Sequence, residues 1–120
     1  MMDTQMHLTK EFLIACEDDY TGLWQLVNRT EQNYPALKSS SELKPFILNY
    51  ILKMLKTTLI AVGRLKNGGF CKWEESPQEI IARIDKEWDG SRYKSDGLYG
   101  IWFDITEQGK EELKRLKAME

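Results

Sequence analysis

Residues 99–116 read YGIWFDITEQGKEELKRL, and the division of this stretch decides the fold. Over 99–105 aromatic and β-branched residues alternate with Gly and Asp, which predicts a strand. Thr106 stands where a helix N-cap is needed, and Leu113, Leu116 and Met119 recur every three residues, which predicts a final helix with a narrow apolar stripe. A strand feeding a capped helix so late in the chain needs an earlier partner. The β-branched run TTLIAV at 57–62, ended by Gly63, predicts that partner. After Asn67, Gly68 and Gly69, the short FCKW at 70–73 predicts a hairpin return.

Upstream of these strands the apolar spacing is helical. Leu43, Phe46, Ile47, Tyr50, Ile51, Met54 and Leu55 predict the central core helix, ending near residue 56. Ser39 and Glu42 have the spacing of a capping box at its start, and Pro45 is tolerable only in its first turn. Tyr20, Leu23, Trp24 and Val27 predict a second core-facing helix, capped by Asp18 or Asp19 and ended by Asn33-Tyr34-Pro35. Thr9 predicts the cap of a first helix carrying Leu8, Phe12, Ala15 and Cys16, after a polar start that is expected to be mobile and that holds His7, the single histidine. Between the strands, Ser76-Pro77-Gln78-Glu79 combines an N-cap, a first-turn Pro and a reciprocal Glu. The helix it starts turns Ile80, Ile81, Ile84 and Trp88 inward and ends at Gly90, with a polar loop at 90–97. The expected class is α+β, mostly helical with a small antiparallel sheet. Residues 1–120 form one domain, with 66–98 inserted between two sheet strands.

The size and composition fit that reading. A chain of 120 residues and 14.1 kDa with 42% hydrophobic and 30% charged residues matches a soluble globular domain with a single core. Its net charge of −2 argues against a uniformly basic binder of nucleic acid or membrane surfaces. The charge is uneven, since residues 41–72 hold six basic residues and one acidic residue between two acidic flanks. No apolar run approaches the roughly 20 residues that span a bilayer. Cys16 and Cys71 read as buried small hydrophobes. With no signal-like apolar run they fit a reduced, cytoplasmic compartment.

Chemistry is sparse. Nucleophilic catalysis usually needs a base, and His7 lies on the expected mobile start. The two cysteines are far apart and there is no CxxC or HExxH, so no metal or other cofactor is expected. The pairs Asp18/Asp19 and Glu74/Glu75 precede expected helix starts, where negative charge is favourable without any catalytic role. Lys66-Asn67-Gly68-Gly69 lacks the phosphate-cradling frame and reads as a turn. Trp24 and Trp88 are placed in the core, and Trp73 is the tryptophan expected at a partly exposed rim. The chain is read as no enzyme.

The closing strand and Thr-x-x-Gly helix at 99–116 resemble the last wing strand and following helix of winged-helix regulators such as the PadR and MarR families. That resemblance implies a winged-helix-like plan, with residues 41–56 at the recognition-helix position and 58–65 as the first wing strand. The inserted helix between the wing strands departs from the pattern. Three further stretches, Asp-Asp-Tyr-x-Gly-Leu-Trp at 18–24, Ile-Asp-Lys-Glu-Trp at 84–88 and Trp-Phe-x-x-Thr-x-x-Gly at 102–109, resemble small stand-alone bacterial proteins, among them immunity proteins of competition toxins.

Two expectations about partners follow. The first is a non-catalytic protein-binding domain of the immunity or antitoxin type, neutralising a basic, nuclease-like toxin through complementary charge. Its candidate surface is Glu17, Asp18, Asp19, Trp73, Glu74, Glu75, Asp85 and Asp89, with Glu87 and Asp96 nearby in sequence. The alternative is a DNA-binding transcriptional regulator, using Lys44, Asn49, Lys53, Lys56, Arg64 and Lys66 to face phosphates and bases. A membrane partner is not expected, and the chain is read as a monomer or homodimer.

Overall fold

The computed structural model describes residues 2–88 and 96–119. In chain order the elements are α1 (Thr4–Asp18), β1 (Thr21–Gly22), α2 (Leu23–Asn33), a 3-10 turn (Pro35–Leu37), α3 (Leu43–Lys56), β2 (Ile60–Lys66), β3 (Gly69–Lys72), α4 (Pro77–Glu87), α5 (Asp96–Gly100), β4 (Trp102–Ile105) and α6 (Glu107–Ala118). The strands form one sheet in the order β1-β4-β2-β3, antiparallel throughout. The class is α+β. Three helices before β2, a central β4–β2 pair and a helix after β4 are compatible with the winged-helix plan.

The fold closes at the strand–helix junction. Ile60 lies opposite Ile105 and Val62 opposite Phe103, and Thr106 caps α6 by accepting from the Gly109 N–H at 2.9 Å. The Thr106 hydroxyl also donates to the Thr58 carbonyl, and its N–H donates to the Leu59 carbonyl at 3.2 Å. A Cβ at position 109 would collide with that Leu59 carbonyl and the Ile105 side chain. The glycine of Thr-x-x-Gly is thus a steric requirement, because the first turn of α6 lies against the chain entering β2.

One face of the sheet carries the core. Phe103 meets Phe12 of α1 edge-on at 5.3 Å, and Phe12 in turn meets Tyr50 of α3 at 6.3 Å. Leu26 of α2, Ile47 and Ile51 of α3, and Leu113 and Leu116 of α6 complete this interior. The inserted α4 adds Ile80 and Ile84, with Trp88 just beyond it, to the same buried cluster. Its capping box forms as expected: Glu79 N–H to Ser76 Oγ at 3.3 Å and Ser76 N–H to Glu79 Oε1 at 3.0 Å. No helix among the described residues is long and apolar enough to cross a membrane.

Several local expectations are corrected. The N-terminal start is helical from Thr4, capped by Asp3 through the Met6 N–H at 2.8 Å; Thr9 bonds the Tyr50 hydroxyl at 2.7 Å instead of capping. Asp18 and Asp19 end α1 and do not begin α2, because pairing of Thr21 and Gly22 with Phe103 and Trp102 draws the chain into extended backbone. The α2 start is closed by the Gly22 N–H donating to Gln25 Oε1 at 2.7 Å. Ser39 takes a positive φ of 61° and the Ser39–Glu42 box does not form; Ser40 Oγ accepts from the Glu42 N–H at 3.0 Å. Tyr99 and Gly100 belong to the short α5, so β4 starts only at Trp102, and Asp96 and Gly97 are helical where loop was expected. Helix termination at Gly90 lies outside the described residues.

Candidate protein-binding surface

Strand alternation explains what the second face of the sheet shows. With Ile60, Val62 and Phe103 turned inward, Ala61, Gly63, Leu65, Trp102 and Asp104 turn outward. Register places Gly22, Trp102, Gly63 and Lys72 in one row across the four strands, so Trp102 stands between two glycines. Gly63 has no room for a side chain, since a Cβ there would fall on the Cys71 carbonyl. The β2–β3 hairpin pairs Leu65 with Phe70 on this side. It brings Phe70 over the outer face, where it stacks on Tyr20 with ring centroids 5.4 Å apart and an interplanar angle of 16°.

The result is a surface of aromatic and aliphatic groups. Tyr20 and Trp24 are each 36% exposed, Leu65 39% and Ile14 41%. Trp24 lies over the backbone of Gly22. Sequence periodicity had put Tyr20 and Trp24 on the buried stripe, but α2 begins three residues later than the acids suggest, and the stripe that is buried is Leu23, Leu26, Val27 and Thr30. The signal that was available is Gly22 beside Trp24: a glycine in an edge strand invites an aromatic to cover it.

Glu17, Asp18 and Asp19 border this surface at the C-terminal end of α1. All three are exposed, and none forms an ion pair with a described residue. With Ile14, Tyr20, Gln25 and Arg29 they line an open groove of about 680 Å³. Arg29, on the same groove, is turned toward Glu11 at 3.5 Å, and the three acids stand at a helix end whose own dipole is negative.

The other predicted acids have a different fate. Trp73 is 7% exposed, against the expectation of a rim residue, because Arg83 lies over its ring at 3.9 Å and Arg64 at 5.4 Å. Glu87 pairs with Arg64 and, at 3.1 Å, with Arg83; Glu75 also pairs with Arg83 at 3.1 Å. Partial burial opposes the charge on Glu87, yet the hydrogen bonds from Arg64 and Arg83 outweigh it and hold its carboxyl below the usual value. Asp85 pairs with Lys44 at 2.8 Å. Glu74 is exposed without an ion pair among the described residues, and Asp89 and the side chain of Asp96 lie outside them.

These pairings also act on the basic set. Lys44 and Arg64 are neutralised by α4, so the exposed stripe of α3 retains Asn49, Lys53 and Lys56, with Lys66 at the hairpin tip. Lys53 donates to the neutral Gln5 side chain at 2.9 Å.

The cysteines and one further cavity stand apart from this surface. Cys16 is buried and its thiol is pushed up to about 12 by desolvation, whereas Cys71 is exposed on β3, contrary to expectation. A cavity of about 430 Å³ between α1, α3 and α6 contains the Thr9–Tyr50 hydroxyl pair and the Glu112–Arg115 ion pair. Among the described residues no group of three or more His, Cys, Asp or Glu side chains is placed to hold a metal ion. No protein-family model, curated protein or solved structure matches this chain.

Proposed function

We propose that this chain is a non-catalytic protein-binding domain of the immunity type, acting in the cytoplasm to neutralise a basic, nuclease-like bacterial toxin. The observation that carries the reading is the outer sheet face, with Tyr20 stacked on Phe70 and Trp24 and Leu65 exposed, lying next to three acids that have no ion pair among the described residues. Exposed aromatics in a polar rim are the usual anchors of an interface. Fixed negative charge beside them speeds capture of a partner made basic by its grip on phosphate. The acids of α4 contribute to the fold of the domain, and Glu17, Asp18 and Asp19 to its partner.

A second reading, a DNA-binding regulator, is favoured by the compatible element order and by Asn49, Lys53 and Lys56 on one exposed stripe of α3. Neutralisation of Lys44 and Arg64 by Asp85 and Glu87 counts against it. The deciding experiment purifies the tagged chain from its host with and without nuclease treatment, then measures binding of any stoichiometric basic protein retained. Reversing Glu17, Asp18 and Asp19 to Lys, or changing Tyr20 and Trp24 to Ala, is expected to weaken that binding at least about tenfold. Loss of growth protection on co-expression should follow the same order. Retention of nucleic acid alone, with a salt slope reduced by Lys53→Ala and Lys56→Ala, would replace this reading with the second.

A further inference from the structure

The cavity of about 430 Å³ between α1, α3 and α6 has the size of a small-molecule site, and protein interiors leave few voids as large. Two side-chain hydrogen bonds cross from α1 to α3 along its lining. The hydroxyls of Thr9 and Tyr50 stand 2.7 Å apart, and Lys53 Nζ donates to Gln5 Oε1 at 2.9 Å. Gln5 and Thr9 are one turn apart on α1, as are Tyr50 and Lys53 on α3, so these two rungs lie about 5 Å apart. Each rung offers further donors. Of the two hydroxyl protons at Thr9 and Tyr50, one serves the bond between them and the other has no acceptor among the described residues. Tyr50 is 3% exposed, and burial raises its hydroxyl well above the ordinary tyrosine range, so it stays a donor. Lys53 keeps two more N–H groups and Gln5 its amide N–H groups. Arg115 is held by Glu112 through two bonds of 2.7 Å, and Asp3 caps α1 through the Met6 N–H at 2.8 Å. Lys53, by contrast, has no ion pair among the described residues.

We propose that this cavity binds an aliphatic monocarboxylate, its carboxylate accepting from the Thr9–Tyr50 hydroxyls and from Lys53 and its unbranched chain lying against Met6, Met54, Leu59 and Leu116. Donors that converge without an acceptor call for an anion, and rungs one turn apart are close enough for the two oxygens of one carboxylate to reach both. The apolar part of the lining favours a chain over a ring. Met54 and Leu116 are buried, Met6 and Leu59 half-buried, and thioether and leucine side chains adapt to a flexible chain. Tyr50 brings the only ring among the described lining residues, and that ring already packs edge-on against Phe12, so an aromatic guest gains no stacking partner. A doubly charged phosphate ester fits less well, because its second charge would meet Glu112 and Asp3 with no second unpaired cation among the described lining residues.

Calorimetric titration of the purified chain with sodium octanoate, from about 10 μM to about 10 mM, tests this without a protein partner, so its failure leaves the immunity reading standing. A dissociation constant of about 100 μM is expected, with a melting temperature that rises as octanoate is added. Octanol, the same chain without the charge, should bind at least about tenfold more weakly. Lys53→Met keeps the length of the side chain and removes the ammonium, and Tyr50→Phe removes the hydroxyl; each should weaken octanoate binding about tenfold. Lys53 is exposed, so Lys53→Met decides the matter if Tyr50→Phe folds poorly. Lys117→Met, exposed on α6 and outside the lining, should bind as the parent does. No heat and no melting shift at the highest concentration, octanol binding as tightly as octanoate, or an affinity indifferent to Lys53→Met or to a folded Tyr50→Phe overturns the proposal. So does an equal loss in Lys117→Met, which would show a general response to surface charge.

Discussion

Two acidic stretches of this chain, residues 17–19 and residues 74–87, look alike in sequence and meet opposite surroundings in the fold. Glu75, Asp85 and Glu87 each contact a guanidinium or ammonium from Arg83, Arg64 or Lys44. Those contacts fix α4 to β2 and α3. Glu17, Asp18 and Asp19 have no such partner among the described residues, although they stand at a helix C-terminus, where their charge is least favourable. A counted acid therefore says little until its compensation is known. The paired acids join the insertion to the rest of the fold, and the acids without a described partner are the ones the proposed interface uses.

The comparison breaks if α4 is an appendage. Ile84 is fully buried, so Ile84→Ala should cost about 2–5 kcal/mol by transfer and cavity terms, read as one cooperative denaturant transition of the whole chain. A separate, early transition with the main midpoint unchanged would show that the insertion is not part of the core. Glu87→Gln tests the charge half of the contrast. It leaves Arg64 and Arg83 facing a neutral amide around the Trp73 ring, and should cost about 1–3 kcal/mol. The same isosteric change at Asp18 should cost nothing measurable.

Acidification sharpens the same contrast. Glu87 and Glu112 titrate below the ordinary glutamate value of about 4.5, Glu87 because the Arg64 and Arg83 hydrogen bonds overcome burial and Glu112 chiefly through its hydrogen bonds from Arg115. Glu79 is lowered as well, by the Ser76 backbone and hydroxyl. A carboxyl with a depressed folded-state value contributes stability that is present above the unfolded value and is lost as pH falls through the folded one. Melting temperature should therefore be nearly flat above pH 4.5 for these groups and decline below it. The decline should be shallower in Glu87→Gln, because one of the groups that must take up a proton is gone.

Local signals carried the sequence reading wherever a structure is set by its nearest neighbours. Ser76-Pro77-Gln78-Glu79 and Thr106-x-x-Gly109 fold as their spacing requires, and the apolar period of 43–55 gives α3 within its stated bounds. Reading went astray where a distant strand decides. Pairing of Thr21 and Gly22 with β4 moved the start of α2, and with it the placement of Tyr20 and Trp24, which turned from core residues into the centre of the candidate surface. Trp73 moved the other way, because its cover is supplied by Arg64 and Arg83 from two other elements. Neither event leaves a periodic trace. The acidic run 17–19 was legible as a candidate from the start, but the lack of an ion pair to it among the described residues is a property of the folded chain.

The smallest expected effect is also the most discriminating. Asp18→Lys replaces an anion by a cation at the C-terminal end of α1, which should stabilise the chain by about 0.3–1 kcal/mol at low salt. If residues 17–19 form the electrostatic half of an interface, the same change should slow association with a basic partner and reduce its dependence on ionic strength, because the steering field is weakened. Stability and binding then move in opposite directions, which no general loss of structure can mimic. Stopped-flow association rates at two salt concentrations, set beside thermal melts of the same samples, give both quantities. An unchanged rate with the expected gain in stability would return Asp18 to the ordinary charged surface and leave the aromatic face as the sole determinant of binding.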